Sequence, residues 1–405
     1  MSPLRVLIVA HDHRAWTDGG VEHFTADLAA ALDARLDVES RILVAATSLQ
    51  RGPTSEIESI DGALVTWVGA YDRLMMSRPG GAEWAAALAD QVAAFAPDVV
   101  HFHGLDRLGV EAIAVARRAA PRARLVMTLH DWQPLCANDG LLLTTGDGAR
   151  CRGPRPDACR ACFPQIAAER FALRELLIRT HFEMIELFLA PSRFALETYA
   201  AWGLPREKLR VLANAAPKLD ASGGRGAEGP PRRFGFFGNA LPHKGVFTLL
   251  DAAKRLAMRG AEVSIGIYGG LGRLPRDARA RFAAALESAW PVATHLGPYD
   301  RAQAVRLMRG VDWVLVPSVW PENAPLVALE AAAAGRPVIA SAVGGLPEMV
   351  RDGRDGLLTP PGDPAALADA ILRASEDRAL WSRFAAEIGS PRDMEACATD
   401  HLESY

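Results

Sequence analysis

Residues 312–341 read DWVLVPSVWPENAPLVALEAAAAGRPVIAS, and this stretch decides the fold. Its two apolar runs, DWVLVPS and PVIAS, are short and bounded by polar or proline residues, as buried parallel strands are. Between them, LVALEAAAAG carries an alanine run that predicts a helix. A strand, a helix and a second strand in this order indicate a parallel sheet covered by helices.

The same alternation recurs along the whole chain. Further strands are predicted at LRVLIVA, DVVHFHG, ARLVMTLHD, LFLAPS, LRVLAN, FGFFG and EVSIGIYG. Apolar residues at helical spacing predict helices between them, first at Val21, Phe24, Leu28, Leu32 and Leu36, then at Trp84, Leu88, Val92 and Phe95. Later helices are expected at Val246 to Met258, Asp277 to Trp290, Gln303 to Met308, and from Pro364. The fold class is therefore α/β, with doubly wound, Rossmann-like parallel sheets.

A chain of 405 residues is longer than one hydrophobic core usually fills, so two domains are expected. Residues 217–233, PKLDASGGRGAEGPPRR, lack periodicity and predict a linker between an N-terminal domain, 1–216, and a C-terminal domain, 234–388. The last stretch, 389–405, is expected to pack back on the first domain. Two such halves should face each other across a cleft at the carboxyl ends of their strands.

Composition restricts the partners of the protein. The net charge is −3, and no Lys/Arg tract is interleaved with aromatic residues, so nucleic acid is not expected as a partner. Basic clusters at Arg117 to Arg124 and Arg150 to Arg160 are either a solvated rim or a contact for an anionic acceptor or membrane surface. The N-terminal apolar run is too short for a signal peptide. A cytoplasmic protein is expected, with at most a peripheral contact at the inner face of the membrane.

Two glutamates flank the central helix of the opening stretch. Glu322 and Glu330 are separated by seven residues, and Asn323 or Ala324 lies near the predicted helix N-cap. The backbone amides near Leu326 and Val327 would then point outward from the positive end of the helix dipole. Such an end binds phosphate, so the segment predicts a pyrophosphate site with one carboxylate on either side.

This segment resembles the donor site of glycosyltransferase family 4, whose members are retaining enzymes of the two-domain GT-B fold. The resemblance covers nearly the whole chain. It implies that Glu322 contacts the hydroxyls of the donor sugar and that Glu330 holds the ribose. It also implies that the amides of Asn323, Ala324, Leu326 and Val327 hold the distal phosphate.

Lys244, in FGNALPHKGVF, is one of only four lysines in the chain. It matches the family lysine that binds the diphosphate, where an ammonium would stabilise the charge that grows on the leaving phosphate. Asn239 stands where the family has an arginine, and an asparagine adds no charge. Either another arginine, for which Arg273 is a candidate, compensates, or the leaving group is less well stabilised. Gly270, in IYGGLGRL, matches a loop that holds the nucleotide.

The first domain offers further candidates. Gly19 and Gly20 lie between the first strand and an amphipathic helix, where they form either a plain turn or a close approach to a ligand. His103 and His130 follow predicted strands. His130 matches the family histidine near the anomeric carbon, so a catalytic or substrate-positioning role is expected. His103 either shares that role or is a structural imidazole.

The resemblance implies an enzyme that transfers a sugar from a nucleoside diphosphate, of the UDP or GDP type, to a glycan, lipid-linked or small-molecule acceptor. The implied mechanism retains configuration on the same face, with His130, Lys244 and Glu322 as its catalytic residues and no catalytic divalent metal. The alternatives are a nucleotide-sugar epimerase or a phosphorylase on the same fold, or a degenerate nucleotide-sugar-binding module. The helix around Trp84 to Phe95 either serves a lipid-linked acceptor or packs in the core.

Four cysteines lie in an insert at 136–164, at Cys136, Cys151, Cys159 and Cys162. The insert is polar and contains too few apolar residues to pack on itself, so a tetrahedral structural zinc is expected to clamp it. Free thiols, a disulfide and an iron–sulfur cluster remain alternatives. Cys397 stands alone and is expected to be inert.

Overall fold

The structure is a computed structural model that describes residues 2–12, 19–46, 57–60, 63–67, 71–78, 81–216 and 229–405. The chain divides into two compact units. The first comprises residues 1–214 and 394–405, and the second comprises residues 215–393. Of the C-terminal segment 389–405, for which a return to the first domain was expected, residues 394–405 belong to the first unit and residues 389–393 to the second. Most of the predicted linker, 217–228, lies outside the described residues.

The first unit contains an eight-stranded sheet in the order β3-β4-β2-β1-β5-β6-β7-β8. The strands are β1 (Leu4–His11), β2 (Val38–Ala46), β3 (Ile57–Ile60), β4 (Ala63–Trp67), β5 (Val99–Phe102), β6 (Arg124–Thr128), β7 (Leu187–Ala190) and β8 (Leu209–Val211). Every pair is parallel except β3 with β4. The middle of the central strand β1, residues 6–10, is apolar and buried, as a strand covered on both faces must be.

Seven helices are described in the first unit. They are α1 (Gly20–Asp33), α2 (Ala82–Phe95), α3 (Glu111–Ala119), α4 (Pro156–Cys162), α5 (Ala168–Phe182), α6 (Arg193–Trp202) and, after the second unit, α14 (Met394–Ser404). A short 3₁₀ turn spans Arg206–Lys208.

The predicted apolar faces of α1 and α2 can be compared with the structure. Phe24, Leu28 and Leu32 are buried, but Leu36 is fully exposed because α1 ends at Asp33. The prediction for Leu36 was therefore wrong. In α2, the four predicted residues from Trp84 to Phe95 are all buried. Core packing, the plainer of the two alternatives for this helix, is thus confirmed.

The second unit contains a six-stranded, fully parallel sheet in the order β11-β10-β9-β12-β13-β14. Its strands are β9 (Arg233–Phe237), β10 (Ser264–Tyr268), β11 (Ala293–Gly297), β12 (Trp313–Val316), β13 (Val338–Ser341) and β14 (Gly356–Thr359). Its helices are α7 (Val246–Met258), α8 (Arg276–Ser288), α9 (Ala304–Arg309), α10 (Leu326–Ala333), α11 (Leu346–Met349), α12 (Pro364–Glu376) and α13 (Arg378–Glu387). Two 3₁₀ turns, Pro242–Lys244 and Arg301–Gln303, precede α7 and α9.

Each sheet has a switch point, where successive strands stop being added on one side of the first strand and are added on its other side. In the first sheet β1 lies between β2 and β5, and in the second β9 lies between β10 and β12. In open parallel sheets, ligands bind outside the carboxyl ends of the strands at such a switch point, because the loops on either side diverge there. The loops after β9 and β12 are therefore the first place to look for a site in the second unit.

None of the described helices is both long enough and apolar enough to cross a bilayer.

Candidate functional site

The loops after β9 and β12 are joined through their backbones. The amide of Val319 donates a hydrogen bond of 2.9 Å to the carbonyl of His243. Gly245 has a φ of +80°, and a Cβ at this position would overlap the carbonyl oxygen of Pro317. A glycine is therefore required for the two loops to approach this closely. The approach places Lys244 beside the loop that carries Glu322.

Lys244 and Glu322 form an ion pair at the switch point. The Lys244 ammonium donates to Glu322 Oε1 at 2.7 Å, and the Ser318 hydroxyl donates to the same oxygen at 2.8 Å. The Lys244 ammonium also lies 5.0 Å from the centre of the Trp320 ring. Burial raises the pKa of Glu322, but Lys244 and the hydrogen bonds outweigh burial and hold the pKa below its ordinary value. Glu322 is therefore a carboxylate at neutral pH.

The backbone of Glu322 is fixed by the glycine pair that follows β13. The Gly345 amide donates to the Glu322 carbonyl at 2.7 Å. Gly344 has a φ of +62°, and a Cβ there would overlap the same carbonyl oxygen. The glutamate is thus held from both its side chain and its main chain.

Helix α10 begins directly after this loop. Its N-cap is Pro325, one or two residues later than the predicted N-cap at Asn323 or Ala324, and in the described residues no side chain caps it. Asn323 is buried, at 6% exposure. The first turn of α10, at Leu326 and Val327, therefore presents backbone amides at the positive end of the helix dipole, as predicted.

Glu330 lies on the second turn of α10 and has a cation of its own. Arg301 Nε donates to Glu330 Oε1 at 3.1 Å, and the carboxylate side chain is only 6% exposed. Sequence reasoning missed Arg301. Arg301 directly follows HLGPYD, and no local pattern there marks it as a partner of Glu330.

Asn239 and Gly270 are brought together at the ends of β9 and β10. The amide of Ala240 donates to the Gly270 carbonyl at 3.3 Å, and a Cβ on Gly270 would lie 3.8 Å from Asn239 Oδ1. Asn239 therefore contributes an amide and no charge to this edge of the sheet. That Arg273 compensates for the missing cation remains a prediction.

The charges around α10 balance. Each buried carboxylate, Glu322 and Glu330, is paired with one cation, so neither leaves an uncompensated negative charge at the helix terminus. The helix dipole then supplies a net positive field of about half an elementary charge. The arrangement is suited to bind an anion beside groups that accept hydrogen bonds from hydroxyls.

The candidates of the first unit lie after β1, β5 and β6. Gly19 is the N-cap of α1, and Gly20 is its first residue. A Cβ on Gly19 would overlap the side-chain carboxylate of Glu22, so a larger residue at this position would require that side chain to move. The neighbouring residues 13–18 of the predicted loop lie outside the described residues.

His103 and His130 are in direct contact. His103 Nδ1 lies 2.9 Å from His130 Nε2, and the two rings are stacked with centroids 5.2 Å apart. His103 is fully buried, whereas His130 is partly exposed. Burial, together with neighbouring histidines, lowers the pKa of His130 to about 3 and that of His103 well below its ordinary value. Both rings are therefore neutral at physiological pH.

The zinc prediction is not supported. In the part of the chain that the structure describes, no group of three or more His, Cys, Asp or Glu side chains could hold a metal ion. The four cysteines, Cys136, Cys151, Cys159 and Cys162, do line one small cavity as free thiols. Burial raises the pKa of the Cys136 and Cys159 thiols.

The premise of that prediction was wrong. Leu142 and Leu143 of the insert are buried, at 5% and 8% exposure, and so is Leu135 directly before it, at 2%. The insert also makes a backbone hydrogen bond of 2.8 Å from the Cys151 amide to the Leu142 carbonyl. It therefore packs on itself to an extent that its composition did not suggest.

Comparison with known families extends these observations. Residues 19–215 match the model of the glycosyl transferase 4-like domain, and residues 231–377 match that of the glycosyl transferases group 1. The two matches together span most of the chain and fall on the two compact units. They define a two-domain glycosyltransferase of the group 1 type.

The chain belongs to glycosyltransferase family 4. Its curated relatives include D-inositol 3-phosphate glycosyltransferases, at 39% identity over 176 residues in Mycobacterium marinum and 45% over 96 residues in a Nocardioides species. These matches cover 42% and 24% of this chain. The chain spans 37% and 21% of the length of those two relatives.

Solved structures show the same fold. The Anabaena protein HepE in complex with UDP and glucose superposes with a TM-score of 0.67 at 19% identity, covering 99% of each chain. The sucrose-phosphate synthase of Thermosynechococcus elongatus superposes with a TM-score of 0.70 at 20% identity, covering 99% of this chain and 98% of its own. The predicted GT-B fold is thereby confirmed.

Proposed function

We propose that this protein is a retaining glycosyltransferase that moves a sugar from a nucleoside diphosphate to an acceptor bound by its first unit. The observation that carries the proposal is the Lys244–Glu322 ion pair at the switch point of the second sheet, directly before the N-terminus of α10. Family membership supports it, and so do the nucleotide-bound relatives of the same fold, whose bound groups include UDP and UDP-glucose.

Different groups would hold the diphosphate, the sugar and the ribose of the donor. The amides of the first turn of α10, with the Lys244 ammonium, would bind the diphosphate. Glu322 would accept hydrogen bonds from sugar hydroxyls, and Glu330, held by Arg301, would accept those of the ribose. Asn239 and Gly270 would line the nucleotide end. A uridine or guanosine diphosphate satisfies these contacts equally well.

The reaction would proceed by loosening of the bond between the sugar and the diphosphate. Negative charge then grows on the leaving phosphate oxygen, next to the Lys244 ammonium and the helix terminus. One preorganised donor at such a position is worth about 3 kcal/mol of barrier. The leaving oxygen would take the proton of the acceptor hydroxyl as the new bond forms on the same face. For His130 we propose a catalytic or substrate-positioning role.

The acceptor would be a glycan, a lipid-linked sugar or a small polyol. The basic residues at 117–124 and 150–160 are consistent with an anionic acceptor or with contact to a membrane surface. With a lipid-linked acceptor, the protein would work in the cytoplasm at the inner face of the membrane.

A panel of nucleotide sugars tests the proposal. The protein is incubated with UDP-, GDP- and ADP-linked sugars, and release of the free nucleoside diphosphate is measured with and without candidate acceptors. Donor-specific release that rises with an acceptor would support transfer. Binding without release would indicate a binding module, and interconversion of the sugars would indicate an epimerase. Either of these two results would overturn the proposal.

A further inference from the structure

Three histidine rings pack together near the carboxyl ends of β5 and β6; His101 and His103 are buried, and His130 is partly exposed. The ring of His103 lies between those of His101 and His130, with centroids 4.0 Å and 5.2 Å away. His101 is itself fixed at both nitrogens, by the Thr128 hydroxyl at 2.8 Å and by the Tyr405 hydroxyl at 2.6 Å. Phe24 packs edge-on against His130. The three rings therefore have little freedom to turn.

The hydrogen bond between His103 and His130 joins two neutral rings, so one nitrogen must donate and the other must accept. The other nitrogen of His103, Nε2, is buried and has no hydrogen-bond partner among the described residues. If His103 carried its proton on Nε2, a buried N–H group would be left unsatisfied. Buried unpaired N–H groups are rarer and costlier than under-satisfied acceptors. The proton of His103 is therefore placed on Nδ1, where it is donated to His130.

The proton on His103 Nδ1 fixes the tautomer of His130. Its Nε2 accepts, so its single proton must lie on Nδ1. Within the described residues no protein group pairs with that Nδ1, and the ring is partly exposed. His130 thus presents, at the edge of the sheet, an N–H donor that no described protein group accepts.

We infer that His103 is a positioning residue that holds His130 in the Nδ1–H tautomer, so that His130 donates a hydrogen bond to an oxygen of the substrate. The inference rests on the proposed function for its substrate, a sugar oxygen, and for the tautomer it rests on the hydrogen-bond geometry together with the neutral state of both rings. Neutral His130 supplies a directed donor without the desolvation cost of a buried cation. His101 supports this arrangement by blocking rotation of the His103 ring.

The tautomer is measured directly by long-range proton–nitrogen NMR of the full chain labelled with ¹⁵N-histidine, with a His130→Gln variant to assign the signals. We expect His130 to carry its proton on Nδ1 in the unmodified protein and to lose this single tautomer in His103→Leu. A proton on Nε2 of His130 in the unmodified protein would overturn the inference, whatever the activity of the enzyme.

Turnover provides the second measurement, with the nucleotide sugar that the donor panel identifies. We expect His103→Leu to lower kcat about tenfold, the equivalent of one hydrogen bond, with little change in the KM of the donor. His103→Asn, whose side-chain amide can replace the Nδ1 donor, should recover most of the loss. His181→Asn, a histidine on α5 bonded to the Leu177 carbonyl, is the matched control and should change nothing. Equal loss in His103→Leu and His103→Asn, or no loss in either, would contradict a positioning role.

Discussion

Replacing Lys244 by methionine separates two effects that the structure joins in one side chain. The substitution keeps an unbranched side chain of similar length. It removes the ammonium that donates a hydrogen bond of 2.7 Å to Glu322 Oε1. It should destabilise the protein, because a buried carboxylate loses its cation. It should also weaken the binding of nucleoside diphosphates, because the diphosphate would lose its charged donor.

The expected loss of stability follows from burial. Removing one partner of a fully buried pair costs about 3–5 kcal/mol. The Lys244 side chain is 33% exposed, so solvent screens part of the interaction and about 2 kcal/mol is the expected loss at pH 7. In the unmodified protein the pKa of Glu322 lies below its ordinary value, so its stabilisation is present above that value and lost as the pH falls through the folded pKa. Without Lys244 the pKa should rise, and the variant should regain stability relative to the unmodified protein on acidification.

The expected loss of affinity for nucleoside diphosphates is a separate effect from the loss of stability. A hydrogen bond to a charged group contributes about 1.5–3 kcal/mol, which corresponds to about 10- to 150-fold in Kd. Titration calorimetry with UDP, GDP and ADP measures it. Lys254→Met is the matched control, because it removes the same charge from an exposed position on α7 and should leave every Kd unchanged.

The double variant Lys244→Met with Glu322→Gln decides between two explanations. It removes the unpaired carboxylate, so unfolding by urea should show that most of the stability has returned. If Lys244 contacts the diphosphate, the affinity should stay low. Recovery of full affinity in the double variant would mean that Lys244 acts only by neutralising Glu322. Equal affinities in Lys244→Met and Lys254→Met for all three nucleotides would refute the proposed site altogether.

Three further predictions concern other parts of the two units. Arg301→Met should weaken binding of the preferred nucleoside diphosphate about tenfold in calorimetry, because the Glu330 carboxylate loses the cation that holds it in place. An unchanged Kd would contradict this prediction. Gly245→Ala should lower Tm more than Gly260→Ala, because both have positive φ but only Gly245 faces a backbone carbonyl that a Cβ would overlap; equal shifts would contradict it. Burial lowers the pKa values of His101 and His103 well below their ordinary range and that of His130 to about 3, so the unfolded chain binds more protons in acid and the free energy of unfolding should fall between pH 7.5 and 5; urea titrations at the two pH values measure this, and equal stabilities would refute it.

Features carried by short, continuous stretches of sequence were open to prediction. Four strands of the second sheet, β9, β10, β12 and β13, and the helix from Val246 to Met258 follow from apolar runs and helical spacing alone, whereas β11 and β14 were not predicted. The Glu322 and Glu330 pair could be placed around α10 because seven intervening residues fix their separation. Leu36 was misplaced for the opposite reason, because periodicity continues in the sequence after the helix has ended at Asp33.

Features that depend on which strands become neighbours were not open to prediction. Arg301 meets Glu330 across 29 residues of chain, and no local pattern marks it as the partner. His103 and His130 were each recognisable as strand-end histidines, but their contact exists only because β5 and β6 pair in parallel with Val99 opposite Arg124. In this register the carboxyl ends of β5 and β6 lie side by side. The protonation state inferred for His130 is thus a property of the sheet, and a substitution that shifted the register of β6 by one residue should abolish it while leaving both histidines in the sequence.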